Sequence, residues 1–153
     1  MKAIRSLVGF GFAMPPLHPV LGSLPCRSAA CLVHASIGFV IVGGWFVLWG
    51  WGLVAAVSHR EPNRVFWGIL AGLQVLLGIQ IVAGLTLLAL GDRADTFLHY
   101  LYGSVFPVIV LVIAHVLGRG LDNEEDTWKV FAIAAFFIFG LTLRALTTGL
   151  GMP

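Results

Sequence analysis

The sequence predicts an all-α polytopic membrane protein, a four-helix up-and-down bundle, and three observations support this prediction. Of the 153 residues, 59% are hydrophobic and 10% are charged, whereas soluble domains have about 25% charged residues. The mean hydropathy is +0.98. The charged residues cluster, and the uncharged runs between them are long enough to cross a bilayer core, which takes roughly 20 apolar residues. This composition excludes a soluble globular fold and intrinsic disorder.

Four uncharged runs locate the helices. They cover 28–59, 65–91, 96–118 and 130–143, and the last reaches spanning length if Arg144 lies near an interface. Each run must be helical because lipid offers no partner to an unpaired backbone amide. The predicted helices are about 34–57, 65–90, 97–118 and 129–149. Their connections are short, which makes neighbouring helices antiparallel, and residues 27–153 form one transmembrane domain.

The first 26 residues differ from the rest. They contain four prolines, which interrupt any long helix. Lys2 and Arg5 precede a short apolar stretch, as in a signal peptide. We therefore expect residues 1–26 to be an irregular arm or a signal-like segment.

Basic residues in short loops predict the orientation. Arg60, Arg64 and Arg119 belong to the first and third loops, whereas Arg93 is in the second. This distribution favours a cytoplasmic location for loops one and three, with both termini outside. A net charge of +2 without a basic run argues against a nucleic-acid partner, so the lipid bilayer is the first expected partner.

Ionisable residues within membrane spans are functional candidates by default. His34 and His99 come near the starts of the first and third predicted helices, which run in the same direction, so both lie at a similar depth. Arg144 is about 15 residues into the fourth helix, roughly 22 Å along it, and is expected at the same level. Two imidazoles could ligate a haem iron axially while a guanidinium pairs with a propionate. We therefore predict one b-type haem bound by His34 and His99, with Arg144 as a further cofactor-binding residue.

The remaining histidines fit a second haem poorly. At about 100° per residue, His34 and His59 share a helix face, but His99 and His115 lie about 160° apart. We expect His59 to be an interfacial loop residue and His115 to be a hydrogen-bonded bundle histidine. The alternatives for His34 and His99 are helix-end positions or a quinone or proton site, and Arg144 could simply extend to the interface.

Other residues leave their roles open. Gln74 and Gln80 are about 120° apart and form no single polar stripe, so one of them is expected to bond across helices. Cys26 and Cys31 could form a disulfide if their segment is outside. Glycines in the first two helices allow close approach to a neighbouring helix or a flat cofactor. We expect no catalytic residues, although the sequence does not decide whether the chain is an enzyme.

Residues 34–117 resemble one four-helix half of the haem A synthase family. The similarity consists of His34 in VHASIG, a short basic SHREPNR loop, Gln74 and Gly84 in the second helix, and His99 in LHYLYG. In that family the equivalent histidines ligate a haem between helices. The family's E-x-x-H glutamate is replaced here by Cys31, and the chain has one unit instead of two. The resemblance therefore implies a haem-binding bundle more than haem A synthesis. The LHYLYG motif is also similar to small bacterial membrane proteins, which makes a bacterial-type inner membrane the expected location.

Three hypotheses follow for function. The first is electron transfer, or an accessory role to a respiratory complex or its haem supply, with other complex subunits or a quinone as partners. The second is a cofactor-free structural or assembly subunit that packs against a larger membrane complex. The third, a small transporter, is weakened because no acidic residue lies within a span.

Overall fold

The computed structural model describes residues 28–121 and 126–152, and all of its regular elements are helical. Four helices are long and apolar enough to cross a membrane: α1 (Ala29–Val57), α2 (Arg64–Ala89), α3 (Leu98–Arg119) and α4 (Thr127–Gly149). Each begins and ends within a few residues of its predicted bounds, except that α1 begins five residues earlier. The arm predicted at 1–26 lies outside the described residues.

The N-termini of α1 and α2 are capped by polar side chains. Ser28 accepts a hydrogen bond from the Cys31 amide at 3.2 Å, and Asn63 accepts one from the Val65 amide at 3.0 Å. Such caps satisfy backbone donors that have no partner within the helix. The Ser28 cap explains the early start of α1, because the prediction placed that start at His34 and took no account of capping.

Glycines with positive φ follow the last turns of α2 and α4. Gly91 has φ 95° and Gly151 has φ 71°. One residue beyond each glycine, an amide returns to a helix carbonyl: Asp92 to Leu87 at 3.0 Å and Met152 to Thr147 at 2.9 Å. This left-handed ending favours glycine and turns the chain sharply.

Helix α3 contains a wide π-helical turn at Leu101–Val105. There the Phe106 amide donates to the Leu101 carbonyl, five residues earlier. Pro107 follows and has no N–H to donate to the carbonyl of Gly103, so regular α-helical bonding is interrupted at this point. The turn begins two residues after His99. It changes the angle around the helix axis between His99 and the residues farther along α3, and the value of 100° per residue used to compare His99 with His115 did not include this change.

Helix α4 packs extensively against both α3 and α1, whereas α2 packs mainly against α1. The core contains the fully buried Trp45, Leu48, Phe66 and Ile138. Gly52 lies against Ala132 of α4, where a larger residue would not fit. Close glycine contacts of this kind bring helix backbones together.

Large apolar side chains cover the outer surface of all four helices. Val54 is 64% exposed, Val82 is 64% exposed and Val116 is 65% exposed. The charged residues of the described ranges lie in loops or at helix ends, with the exception of Arg144. Four candidate spans with apolar outer faces indicate a multi-pass membrane protein.

Candidate functional site

A cavity of about 260 Å³ lies at one end of the helices, and all four helices and the α2–α3 loop contribute to its wall. Most of its lining is apolar. Its ring-bearing and amide side chains are His34 of α1, Gln80 of α2, and His99 and Tyr100 of α3. An apolar cavity with a few converging polar groups is the usual form of a small-molecule site.

The cavity brings His34 and His99 together. Their ring centroids are 6.3 Å apart, with an interplanar angle of 62°. Metal–imidazole bonds are about 2.0–2.1 Å, so an ion between one nitrogen of each ring would hold the ring centres roughly 6 Å apart. The observed separation of the ring centroids is close to this value.

Helix α4 fixes the tautomer of His99. His99 Nδ1 lies 2.9 Å from the carbonyl oxygen of Ala145. A carbonyl can only accept, so Nδ1 is the donor and carries the proton. In the neutral imidazole, Nε2 of His99 then carries no proton and is free to accept a bond, which is the arrangement that second-sphere carbonyls commonly impose on ligating histidines.

Two glycines leave room for the imidazoles. A Cβ added at Gly84 would lie 3.1 Å from Cε1 of His34, and one added at Gly149 would lie 2.8 Å from Cε1 of His99. Both distances are shorter than the roughly 3.5–4.0 Å optimum for carbon contacts. Gly84 and Gly149 thus permit the ring positions that form the site.

Gln80 lines the cavity, although the sequence did not predict it as a site residue. The sequence predicted only that Gln80 or Gln74 forms a hydrogen bond between helices. Its Nε2 donates to the backbone carbonyl of His34 at 2.8 Å. Two buried atoms beside this bond, His34 Nδ1 and Gln80 Oε1, have no hydrogen-bond partner within the described ranges. Gln74 does not line the cavity, and the cross-helix bond predicted for one of the two glutamines is the bond that Gln80 makes.

The α2–α3 loop forms the polar mouth of the cavity. Asp92, Arg93 and Asp95 all contribute to the wall. The hydroxyl of Tyr100 accepts a hydrogen bond from the Ala94 amide at 3.0 Å, which ties this loop to α3. Across 28–121 and 126–152 the guanidinium of Arg93 forms no ion pair, so it is available to an anionic group.

Arg144 is not among the residues that line the cavity. Its side chain is exposed on α4, and its carbonyl oxygen accepts hydrogen bonds from Thr147 and Thr148, both at 2.9 Å. The structure therefore joins two of the three predicted cofactor-binding residues and leaves Arg144 apart from them. The rise of about 1.5 Å per residue gave its depth along α4 but not the face that it occupies relative to α1 and α3.

The other two described histidines lie away from this cavity. His59 is exposed in the α1–α2 turn and has φ 51°. His115 Nδ1 lies 2.8 Å from the Leu111 carbonyl of its own helix, and its ring packs edge-on against Phe131. These positions agree with the structural roles predicted for both residues.

Cys31 also lines the cavity, and it is disulfide-bonded. The other cysteine of the predicted pair, Cys26, lies outside the described residues. No three His, Cys, Asp or Glu side chains converge on one point in the part of the chain that the structure describes.

No protein-family model matches the chain. No significant match was found among curated proteins or among solved structures.

Proposed function

We propose that this chain is a membrane-embedded four-helix bundle that binds one b-type haem through His34 and His99 and serves electron transfer, or assists a respiratory complex or its haem supply. The observation that carries the proposal is the pairing of the two imidazoles inside a cavity, with ring centres 6.3 Å apart.

An up-and-down arrangement in a bilayer explains the packing contacts. The start of α1 lies beside the end of α2, since Gln80 bonds to His34. The start of α3 lies beside the end of α4, since His99 bonds to Ala145. Helices of 22–29 residues have lengths of roughly 33–44 Å, enough for a hydrocarbon core of ~30 Å.

We place the protein in a bacterial-type inner membrane with loops one and three in the cytoplasm. Arg60, Arg64 and Arg119 lie at that side, where short basic loops are retained. The histidine cavity then lies toward the outer side, and both termini are outside. A partner subunit or quinone would reach the site from that half of the bilayer.

Besides the two histidines, the cavity has two features that suit a haem: an exposed residue in its lining, Leu85, and a cationic residue in its wall, Arg93. His34 and His99 would hold the haem, which would supply one-electron transfer chemistry. Leu85 lines the cavity and is 57% exposed, and in this proposal a macrocycle larger than about 260 Å³ would extend past Leu85 toward the lipid. Because Arg93 lines the wall and Arg144 does not, Arg93 takes the role of propionate partner that the sequence assigned to Arg144.

A second candidate, a cofactor-free structural subunit, is favoured by the glycines of α2. Gly68 and Gly72 are one turn apart and exposed, and a Cβ added at either would meet no atom within 4 Å. Small residues in this spacing let another transmembrane helix approach closely. This candidate predicts association with partner subunits and no bound pigment.

The test is a reduced-minus-oxidised spectrum of protein purified after haem-replete expression. We expect a b-type α-band in the wild type and in His115→Ala, and its loss or alteration in His34→Ala and in His99→Ala. His115→Ala is the matched control, since it removes an imidazole away from the cavity. A wild type without a haem spectrum would reject the proposal and favour the structural subunit.

A further inference from the structure

The two unpartnered buried atoms of the cavity are a potential donor and an acceptor. His34 Nδ1 and Gln80 Oε1 each have no hydrogen-bond partner among residues 28–121 and 126–152. Leaving such groups unpaired is unfavourable, because they have lost their hydrogen bonds to water and gained none in return. A pair of complementary unpartnered groups on facing helices therefore suggests a use in the functional state.

The Gln80 side chain is already held beside His34. Its Nε2 donates to the His34 carbonyl at 2.8 Å, and Gly38 leaves space for the amide, since a Cβ there would lie 3.5 Å from Nε2. One turn further along α2, Gly84 lies against the His34 ring. Gln80 and Gly84 therefore present one face of α2 to both the backbone and the ring of His34.

The two histidines differ in what fixes their tautomers. His99 donates from Nδ1 to the Ala145 carbonyl, which leaves Nε2 for a ligand. His34 has no such carbonyl, although a neutral histidine that binds a metal through Nε2 carries its proton on Nδ1 and almost always donates it to an acceptor. Gln80 Oε1 is the buried acceptor without a partner on the facing helix.

We infer that Gln80 is a positioning residue: when the His34 ring turns toward α2, Gln80 Oε1 accepts a hydrogen bond from His34 Nδ1, two atoms that are unpartnered in the structure, while Gln80 Nε2 stays on the His34 carbonyl. The amide then holds the ring in the tautomer that leaves Nε2 unprotonated, as Ala145 does for His99. The inference rests on the proposed haem site for its use, but the hydrogen bond itself needs no haem.

The test compares Gln80→Leu, Gln80→Glu and the control Gln74→Leu. The first measurement is ¹⁵N NMR of histidine-labelled protein in lipid nanodiscs without haem. His34 is expected to be Nδ1-protonated in the wild type, in Gln74→Leu and in Gln80→Glu, and a mixture of tautomers in Gln80→Leu. Gln80→Glu keeps an acceptor oxygen but removes the Nε2 donor to the His34 carbonyl. It therefore separates the acceptor role of Gln80 toward the His34 ring from the role of its bond to the His34 backbone.

The second measurement is haem affinity, for which loss of a ligand's outer hydrogen bond typically costs 10–100-fold. Gln80→Leu is expected to weaken binding by that factor, with Gln80→Glu closer to the wild type. If the wild type binds no haem but the tautomer responds to Gln80→Leu, the proposed function fails and the Gln80–His34 bond stands. If the His34 tautomer is the same in the wild type and in Gln80→Leu, the inference is overturned, whatever the haem result.

Discussion

Substitution of Gly149 by alanine is the sharpest perturbation of the proposed site. The added methyl would lie 2.8 Å from Cε1 and 3.0 Å from Nδ1 of His99. Normal carbon contacts are about 3.5–4.0 Å, so the ring must move by roughly 0.7–1.2 Å. The bond from Nδ1 to Ala145, now 2.9 Å, would then exceed the normal range for a hydrogen bond.

The displacement should reduce haem binding without unfolding the protein. Loss of the Nδ1 bond removes about 0.5–1.5 kcal/mol, and disturbing the outer hydrogen bond of a ligating histidine typically costs 10–100-fold in affinity. We expect a weakening in that range in a haem titration followed at the Soret band in nanodiscs. Gly140→Ala is the control, because it lies on the same helix with no atom within 4 Å of the added methyl. Equal haem affinities for Gly149→Ala and Gly140→Ala would refute the assignment of His99.

Three further substitutions follow from the packing. Gly84→Ala places a methyl 3.1 Å from the His34 ring and should lower haem affinity about 10-fold in the same titration; unchanged affinity would count against His34. Gly52→Val pushes against Ala132 and should reduce stability by about 1–3 kcal/mol, measured by unfolding in mixed detergent; wild-type stability would contradict the α1–α4 contact. Pro107→Ala supplies the missing amide and should close the π turn, which rotates His99 and reduces haem binding; retained binding would show that the turn does not position the ligand.

The sequence was sufficient for the helices because their signal is strong and local. Long uncharged runs bounded by charges admit only helices in lipid, and the predicted bounds agree with the structure to within two residues except at α1. The start of α1 differed because the Ser28 cap extends the helix beyond the hydrophobic run that followed His34.

The site was harder to predict because it depends on which face of each helix a residue occupies and on how the four helices pack together. Depth along the helices was enough to pair His34 with His99, which the structure places 6.3 Å apart. Depth alone could not show that Arg144 is exposed and does not line the cavity, or that Arg93 of the loop is part of its wall. Pro107 within an apolar span was the available signal for the irregular turn in α3.

The hydrogen-bond partner of Gln80 could not be predicted from the sequence for a different reason. An isolated glutamine in a span indicates a hydrogen bond across helices, but its partner depends on which α1 residue it meets. Only the packed structure shows that this partner is His34.

The most direct test of the central claim is the spin state of haem iron in the ferric protein, by electron paramagnetic resonance together with absorption. Two imidazole ligands predict a six-coordinate low-spin iron at one haem per chain in the wild type. Removing His34 or His99 should convert it to a high-spin form or abolish binding. A low-spin spectrum that persists in the His34→Ala, His99→Ala double variant would contradict the account.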